Sequence, residues 1–215
     1  MKEVNIVLVL LAGGIGKRFN KKVSKQMIMY NDLTILEMNI INFKKVLKDI
    51  PIQVVTNNKD FIKVSEICNK YNLLSPVLGG DERYKSVCKA LESIEYINPR
   101  YVLIHDTARP IISTEVIKRL ISYSKKEVFC VVPVIKIRDS IRSITKNTVK
   151  KIISKNNKVL VQTPQLCNYK ILKKIIENSN KKFEDETALF LHNSMQVITI
   201  EGDPLTLKIT YEKDL

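Results

Sequence analysis

The stretch LLAGGIGKRFNKKVSKQ, residues 10–26, interrupts an apolar run at Gly13-Gly14 and Gly16 and then presents Lys17, Arg18, Lys21, Lys22 and Lys25. Without a Cβ, a glycine turn lets the backbone approach a ligand closely, and its exposed N–H groups can face an anion. Two familiar phosphate loops do not fit. A dinucleotide fingerprint needs a third glycine where Phe19 stands. A P-loop needs Ser or Thr where Arg18 follows Gly16-Lys17, and a glycine where Leu11 stands upstream. What remains is a strand ending in A-G-G-x-G-x-R with Lys25 beyond it, suited to phosphates; the alternative is a surface hairpin with scattered lysines.

The 215 residues, 45% of them hydrophobic, can bury roughly 70% of the unfolded surface, which points to one domain spanning 1–215. The apolar N-terminal run feeds directly into the glycine turn, so it is expected to be a buried first strand and not a secretion signal. No run approaches the ~18 apolar residues of a membrane span. Cys68, Cys88, Cys130 and Cys167 form no C-x-x-C pair, and with only His105 and His192 beside them zinc is set aside and a reduced, cytoplasmic setting is expected. The net charge of +14 raises nucleic acid as a partner. The lysines, however, fall as dispersed doublets with no aromatic platform among them, and a small anionic substrate accounts better for the localised cations.

Val4–Leu11, IQVVT at 52–56, Pro76-Val-Leu, YVLIH at 101–105, FCVVPV at 129–134 and the strand near 196–200 read as strands. Thr34, Asn58 and Ser113 are expected helix caps, the first opening a helix whose face carries Ile35, Met38, Ile41 and Leu47. Further helices are expected from Asn168 to Asn178 and from Asp185. Strands separated by helices of this length predict an α/β fold around a mostly parallel sheet. Between about 136 and 160 the sequence alternates apolar and polar residues, predicting a projecting β-arm that turns near Asn156-Asn157.

Ligands of an open parallel sheet gather beyond the carboxyl ends of its strands. AGGIGKR, GGDERYKS at 79–86, HDTARP at 105–110 and RDSIR at 138–142 fall at such ends. Asp106 can cap a turn, or hold Mg²⁺ or orient a substrate hydroxyl. Arg109 can be a surface ion-pair partner or a two-pronged phosphate clamp. His105 reads as a packed residue more readily than as a base. Gly79-Gly80, with Asp81 and Ser86, can be a turn or can present main-chain groups to a planar base.

The ordered set of AGGIGKR with Lys25-Gln26, GGDERYKSV, HDTARP, RDSIR, QTPQ, DET and GDPLTLKIT resembles the 2-C-methyl-D-erythritol 4-phosphate cytidylyltransferase family, which also contains ribitol 5-phosphate cytidylyltransferases. The resemblance runs from Ile6 to Leu215. It implies a Rossmann-like nucleotidyltransferase fold with helices on both faces of the sheet, a homodimer with the arm reaching toward the partner, and CTP, Mg²⁺ and a polyol phosphate as ligands. An acceptor phosphate oxygen would attack the α-phosphorus of CTP with loss of pyrophosphate, needing alignment and charge neutralisation but no covalent nucleophile.

Motif by motif, the resemblance assigns Ala12, Gly13, Gly14, Gly16, Arg18 and Lys25 to the triphosphate. It assigns Gly80, Asp81, Arg83 and Ser86 to cytosine and ribose, and Asp106, Arg109, Ser140, Lys155 and Thr163 to the acceptor. Asp106 is also the implied metal ligand, while Arg18, Lys25 and Lys208 are the implied catalytic cations. Departures gather on the acceptor side: Thr107 replaces Ala, Ser140-Ile141-Arg142 replaces T-[IM]-K, Lys155 replaces the arm arginine, Glu184 replaces Thr, and Thr206 replaces Asn. Ribitol 5-phosphate is therefore the alternative acceptor, and a nucleotide-binding module without transfer chemistry is the alternative class.

Overall fold

A computed structural model describes residues 5–14, 23–179, 183–211 and 214. From the N-terminus come β1 (Ile6–Ala12), β2 (Met29–Tyr30), β3 (Leu33–Thr34), α1 (Ile35–Val46), β4 (Ile52–Thr56), α2 (Phe61–Lys70), β5 (Val77–Leu78), α3 (Arg83–Ser93) and β6 (Tyr101–Asp106). Then follow α4 (Thr114–Ser122), β7 (Cys130–Lys136), β8 (Ile141–Thr145), β9 (Thr148–Ile153), β10 (Val159–Val161), β11 (Gln165–Asn168), α5 (Tyr169–Glu177), α6 (Glu186–His192) and β12 (Val197–Glu201). The main sheet runs β10-β7-β11-β6-β1-β4-β5, with β12 on β7. Only β10 and β11 oppose their neighbours; β1, β4, β5 and β6 pair in parallel, as does β12 with β7. The fold is α/β, as the alternation of strand and helix predicted.

Because successive side chains of a strand point to opposite faces, the central strands feed two separate cores. Leu8, Leu10, Ile52, Val54 and Leu103 pack with Leu36, Ile40 and Phe43 of α1, Val64 of α2 and Ile117 of α4. Val7, Val9, Val55, Val102 and Ile104 pack with Val87 and Leu91 of α3, Leu172 of α5 and Phe190 of α6. A sheet buried on both faces needs strands that are apolar throughout, and IVLVLLA of β1 meets that need.

Three local expectations need correction. The buried face of α1 is Ile35, Leu36, Ile40 and Phe43; Met38 and Ile41 are only half-buried. The helix also buries two polar side chains, each held by hydrogen bonds: Asn39 Nδ2 donates to Thr107 O (2.9 Å), and Glu37 completes the Thr34 capping box. The cap at 57–60 is Asn57, whose side chain accepts from Asp60 N in a short 3₁₀ turn ahead of α2, one position earlier than Asn58. The arm hairpin is β8–β9 and turns at Lys146-Asn147, both at positive φ, whereas Asn156-Asn157 turns the chain back into β10 and the main sheet.

Candidate active site

At the carboxyl ends of β1, β4, β5 and β6 a cleft of about 620 Å³ opens, lined among others by Gly13, Gly14, Lys25, Asn57, Gly80 and Asp106. Ala12 ends β1, and Gly13-Gly14 follow it onto the cleft wall; Gly16 and Arg18 lie outside the described residues. Thr107 joins the first two walls: its amide and hydroxyl both donate to Leu11 O, at 3.3 and 2.9 Å. Across the cleft the 79–86 turn is drawn tight. Gly80 N donates to Ser86 Oγ at 3.1 Å, and Ser86 Oγ in turn donates to Glu82 O at 3.2 Å. A Cβ on Gly80 would stand 2.3 Å from Lys85 Cβ and one on Gly79 2.7 Å from Ser86 Oγ, so the turn closes only with glycine at both. Asp81 is exposed and paired with Lys85 at 2.8 Å.

Asp106 is the electrostatic centre. Arg83 Nε donates to its Oδ1 at 3.0 Å and Lys208 Nζ to its Oδ2 at 2.7 Å. Burial alone would raise the Asp106 pKa, but the two cations outweigh it and hold the carboxyl well below the usual carboxylate range. Arg83 turns its remaining nitrogens to Glu186, Nη1 to Oε1 at 2.7 Å and Nη2 to Oε2 at 2.9 Å. Burial would lower its pKa; Glu186 and Asp106 more than compensate and raise it above the ordinary guanidinium value. The guanidinium expected beside the nucleotide is thus committed to two carboxylates.

Lys208 reaches Asp106 from an irregular strap, residues 202–210, which Gln162 fastens: Nε2 donates to Asp203 O (2.8 Å) and Thr206 O (3.2 Å), while Oε1 accepts from Asp203 N (3.1 Å). Arg109 Nη1 donates to Thr206 O at 2.9 Å, Ile209 N to Ala108 O at 2.8 Å, and Lys25 Nζ to Ile209 O at 2.9 Å. Burial, opposed by Asp106 and aided by Arg83, lowers the Arg109 pKa, and its Nε finds no hydrogen-bond partner among the described residues.

The structure therefore brings Gly13, Gly14, Lys25, Gly80, Asp81, Arg83, Ser86, Asp106 and Lys208 around one cleft. Arg109 and Thr163 support the strand end without lining it. Ser140 and Lys155 are exposed at the root of the arm, where Lys155 Nζ donates to Arg138 O at 2.5 Å. Gln162 and Glu186, which stand in the QTPQ and DET motifs but took no role from them, emerge as supporting residues. No cluster of three or more His, Cys, Asp or Glu suited to a metal exists among the described residues. Magnesium, which readily keeps water and phosphate oxygens in its shell, fits here as an ion carried by a polyphosphate. Asp106 is the carboxylate on the cleft wall that could hold such an ion.

The fold has structural counterparts. A crystal structure of 4-diphosphocytidyl-2C-methyl-D-erythritol synthase from Anaerococcus prevotii shares the fold with a TM-score of 0.82 at 23% identity, covering 98% of this chain and 92% of that one. The 2-C-methyl-D-erythritol 4-phosphate cytidylyltransferase structure from Francisella tularensis gives 0.79 at 27% identity, covering 98% and 96%. Among curated relatives, the bifunctional enzyme IspD/IspF of Wolbachia pipientis is 31% identical across 100% of this chain and 55% of its own length. The cytidylyltransferase of Dictyoglomus thermophilum is 31% identical over 98% and 93%. The chain spans about half the length of the bifunctional relatives from Wolbachia pipientis and Pelagibacter ubique. With the glycine turn, the Asp106 cluster and the strap all falling inside residues 6–215, the span matched by the profile "IspD: 2-C-methyl-D-erythritol 4-phosphate cytidylyltransferase", the chain belongs to that family.

Proposed function

We propose that the cleft binds CTP and catalyses transfer of its cytidylyl group to a polyol phosphate, 2-C-methyl-D-erythritol 4-phosphate, with release of pyrophosphate. The observation that carries this reading is the cleft itself, where two glycine turns meet a carboxylate held between Arg83 and Lys208. Family membership supplies the chemical class.

The 79–86 turn offers main-chain groups to the base, while the turn after β1 and Lys25 face the triphosphate. Lys25 and Lys208 offset charge that builds at the α-phosphorus and on the departing pyrophosphate; such preorganised donors act where charge develops. Two anionic reactants must be held in line, and rigid anchorage of the strap by Gln162 and Arg109 serves that alignment. Mg²⁺, held by the triphosphate with Asp106, supplies further charge neutralisation. The arm carries Lys155 toward the acceptor site of a partner subunit in a homodimer, and the setting is cytoplasmic.

The test is pyrophosphate release with Mg²⁺ and CTP, measured without acceptor, with 2-C-methyl-D-erythritol 4-phosphate and with ribitol 5-phosphate. Release dependent on the first acceptor supports the reading; dependence on the second reassigns the substrate; release with neither overturns it. Substituting ATP, UTP and GTP tests the base.

A further inference from the structure

Glu186 and Arg83, 103 positions apart in sequence, meet in a two-pronged contact that occupies both terminal nitrogens of the guanidinium. Asp106 meets the side edge of the guanidinium, where Nε donates to Oδ1. Oδ2 accepts from Lys208 Nζ. Glu186 is buried, 4% exposed, and its place is set independently of the cleft. It opens α6, whose cap Asp185 accepts from Ala188 N at 2.9 Å and Thr187 Oγ1 at 2.7 Å and receives Gln165 Nε2 at 3.3 Å. Glu186 does not line the cleft.

A guanidinium and a carboxylate favour the parallel, two-bond arrangement. With Glu186 neutralised, Asp106 would be the one anion paired with Arg83. The fork would then draw both Asp106 oxygens toward itself and away from Lys208. The charges also cancel only as a set of four: Glu186 and Asp106 against Arg83 and Lys208. Loss of the first leaves two cations competing for one carboxylate.

We infer that Glu186 is a positioning residue for Lys208, acting through Arg83 and Asp106: by holding the end of the guanidinium it turns Arg83 so that Nε meets one Asp106 oxygen, while the other accepts from Lys208 and places its ammonium at the cleft. The kinetic part of this inference rests on the cytidylyl-transfer reading; the part concerning the charge relay does not.

The experiment is a double-mutant cycle of Glu186→Gln and Lys208→Met, with Glu186→Asp as the charge-preserving variant. Glu186 and Lys208 do not touch, so ordinary structural losses should add, whereas residues in one network do not. Glu186→Gln is expected to lower kcat on the order of tenfold with KM for CTP changed less than about threefold, and to have little further effect in the Lys208→Met background. Glu186→Asp should recover part of kcat. Urea unfolding of the same proteins gives the cycle without substrate, and there too the two substitutions should be non-additive. Additive effects in the unfolding equilibrium overturn the relay whether or not the enzyme turns over. A wild-type protein inactive toward CTP sinks the functional reading alone and leaves the unfolding cycle to decide the relay. If Glu186→Gln does not fold, Glu186→Asp carries both cycles, and additivity there overturns the inference equally.

Discussion

Thr163 Oγ1 stands 3.0 Å from His105 Nδ1, and the direction of that hydrogen bond is set on the far side of the ring. His105 Nε2 lies 3.1 Å from Arg109 O, a carbonyl that only accepts, so Nε2 carries the proton of the neutral imidazole and Nδ1 accepts from the Thr163 hydroxyl. Thr163 Oγ1 meanwhile accepts from Asp106 N at 3.2 Å. One hydroxyl and one ring thus fasten both ends of the Asp106–Arg109 turn to β6 and the irregular segment ahead of β11.

Replacing Thr163 with Val leaves the imidazole Nδ1 and the Asp106 amide without their shared partner at nearly constant shape. An unsatisfied buried group costs about 1–3 kcal/mol, and a loss in that range or somewhat above it is expected in urea unfolding. Thr163→Ser keeps the hydroxyl and should lose less than half as much. Equal losses for the two variants would show that the methyl group matters as much as the hydroxyl.

Acid sensitivity follows from the same imidazole. Burial lowers the His105 pKa from 6.5 to about 4, with Asp106 and the Arg109 carbonyl opposing the shift and the cations of Arg109 and Arg83 aiding it. The unfolded chain therefore takes up the proton first. The contribution to stability is complete above about pH 6.5, declines as pH falls toward about 4, and changes no further below, amounting to about 3 kcal/mol. Unfolding free energy measured across this window should show the decline in the wild type and not in His105→Asn.

Lys25→Ala is expected to lower kcat by on the order of 10²–10³, the scale for removing one preorganised donor at developing charge. Unchanged kcat in a folded variant would reduce Lys25 to an anchor for the strap at Ile209.

For Lys155, removal should raise KM for the acceptor and leave KM for CTP nearly unaltered. Lys155→Arg should also shift acceptor KM, because a planar fork grips phosphate differently from a compact ammonium. If the arm serves the partner subunit, mixed dimers of Lys155→Ala and Lys25→Ala chains regain activity in one of two sites; no recovery would assign the arm to its own subunit.

What the sequence made legible was what short-range patterns encode. Thr34 announces the start of α1, and the apolar runs of β1, β4 and β6 announce burial on two faces. The arm was legible as an extended stretch, but its turn was misplaced: Asn156-Asn157 carries a stronger turn composition than Lys146-Asn147. Glu186 and Gln162 were harder still. Their partners lie 103 and 41 positions away, and nothing adjacent to a residue records a contact at that separation. Arg83 illustrates the same limit: its motif located it at the cleft, whereas the direction of its guanidinium depends on α6.

Asp106 and Lys208 are 102 residues apart, an interval that a ribosome emitting about 5–20 residues per second covers in roughly 5–20 s. During that time a nascent chain has already delivered both glycine turns and the β6 carboxylate, while the strap and its lysine have yet to be made. The set of four charges formed by Glu186, Arg83, Asp106 and Lys208 is accordingly completed only late in synthesis.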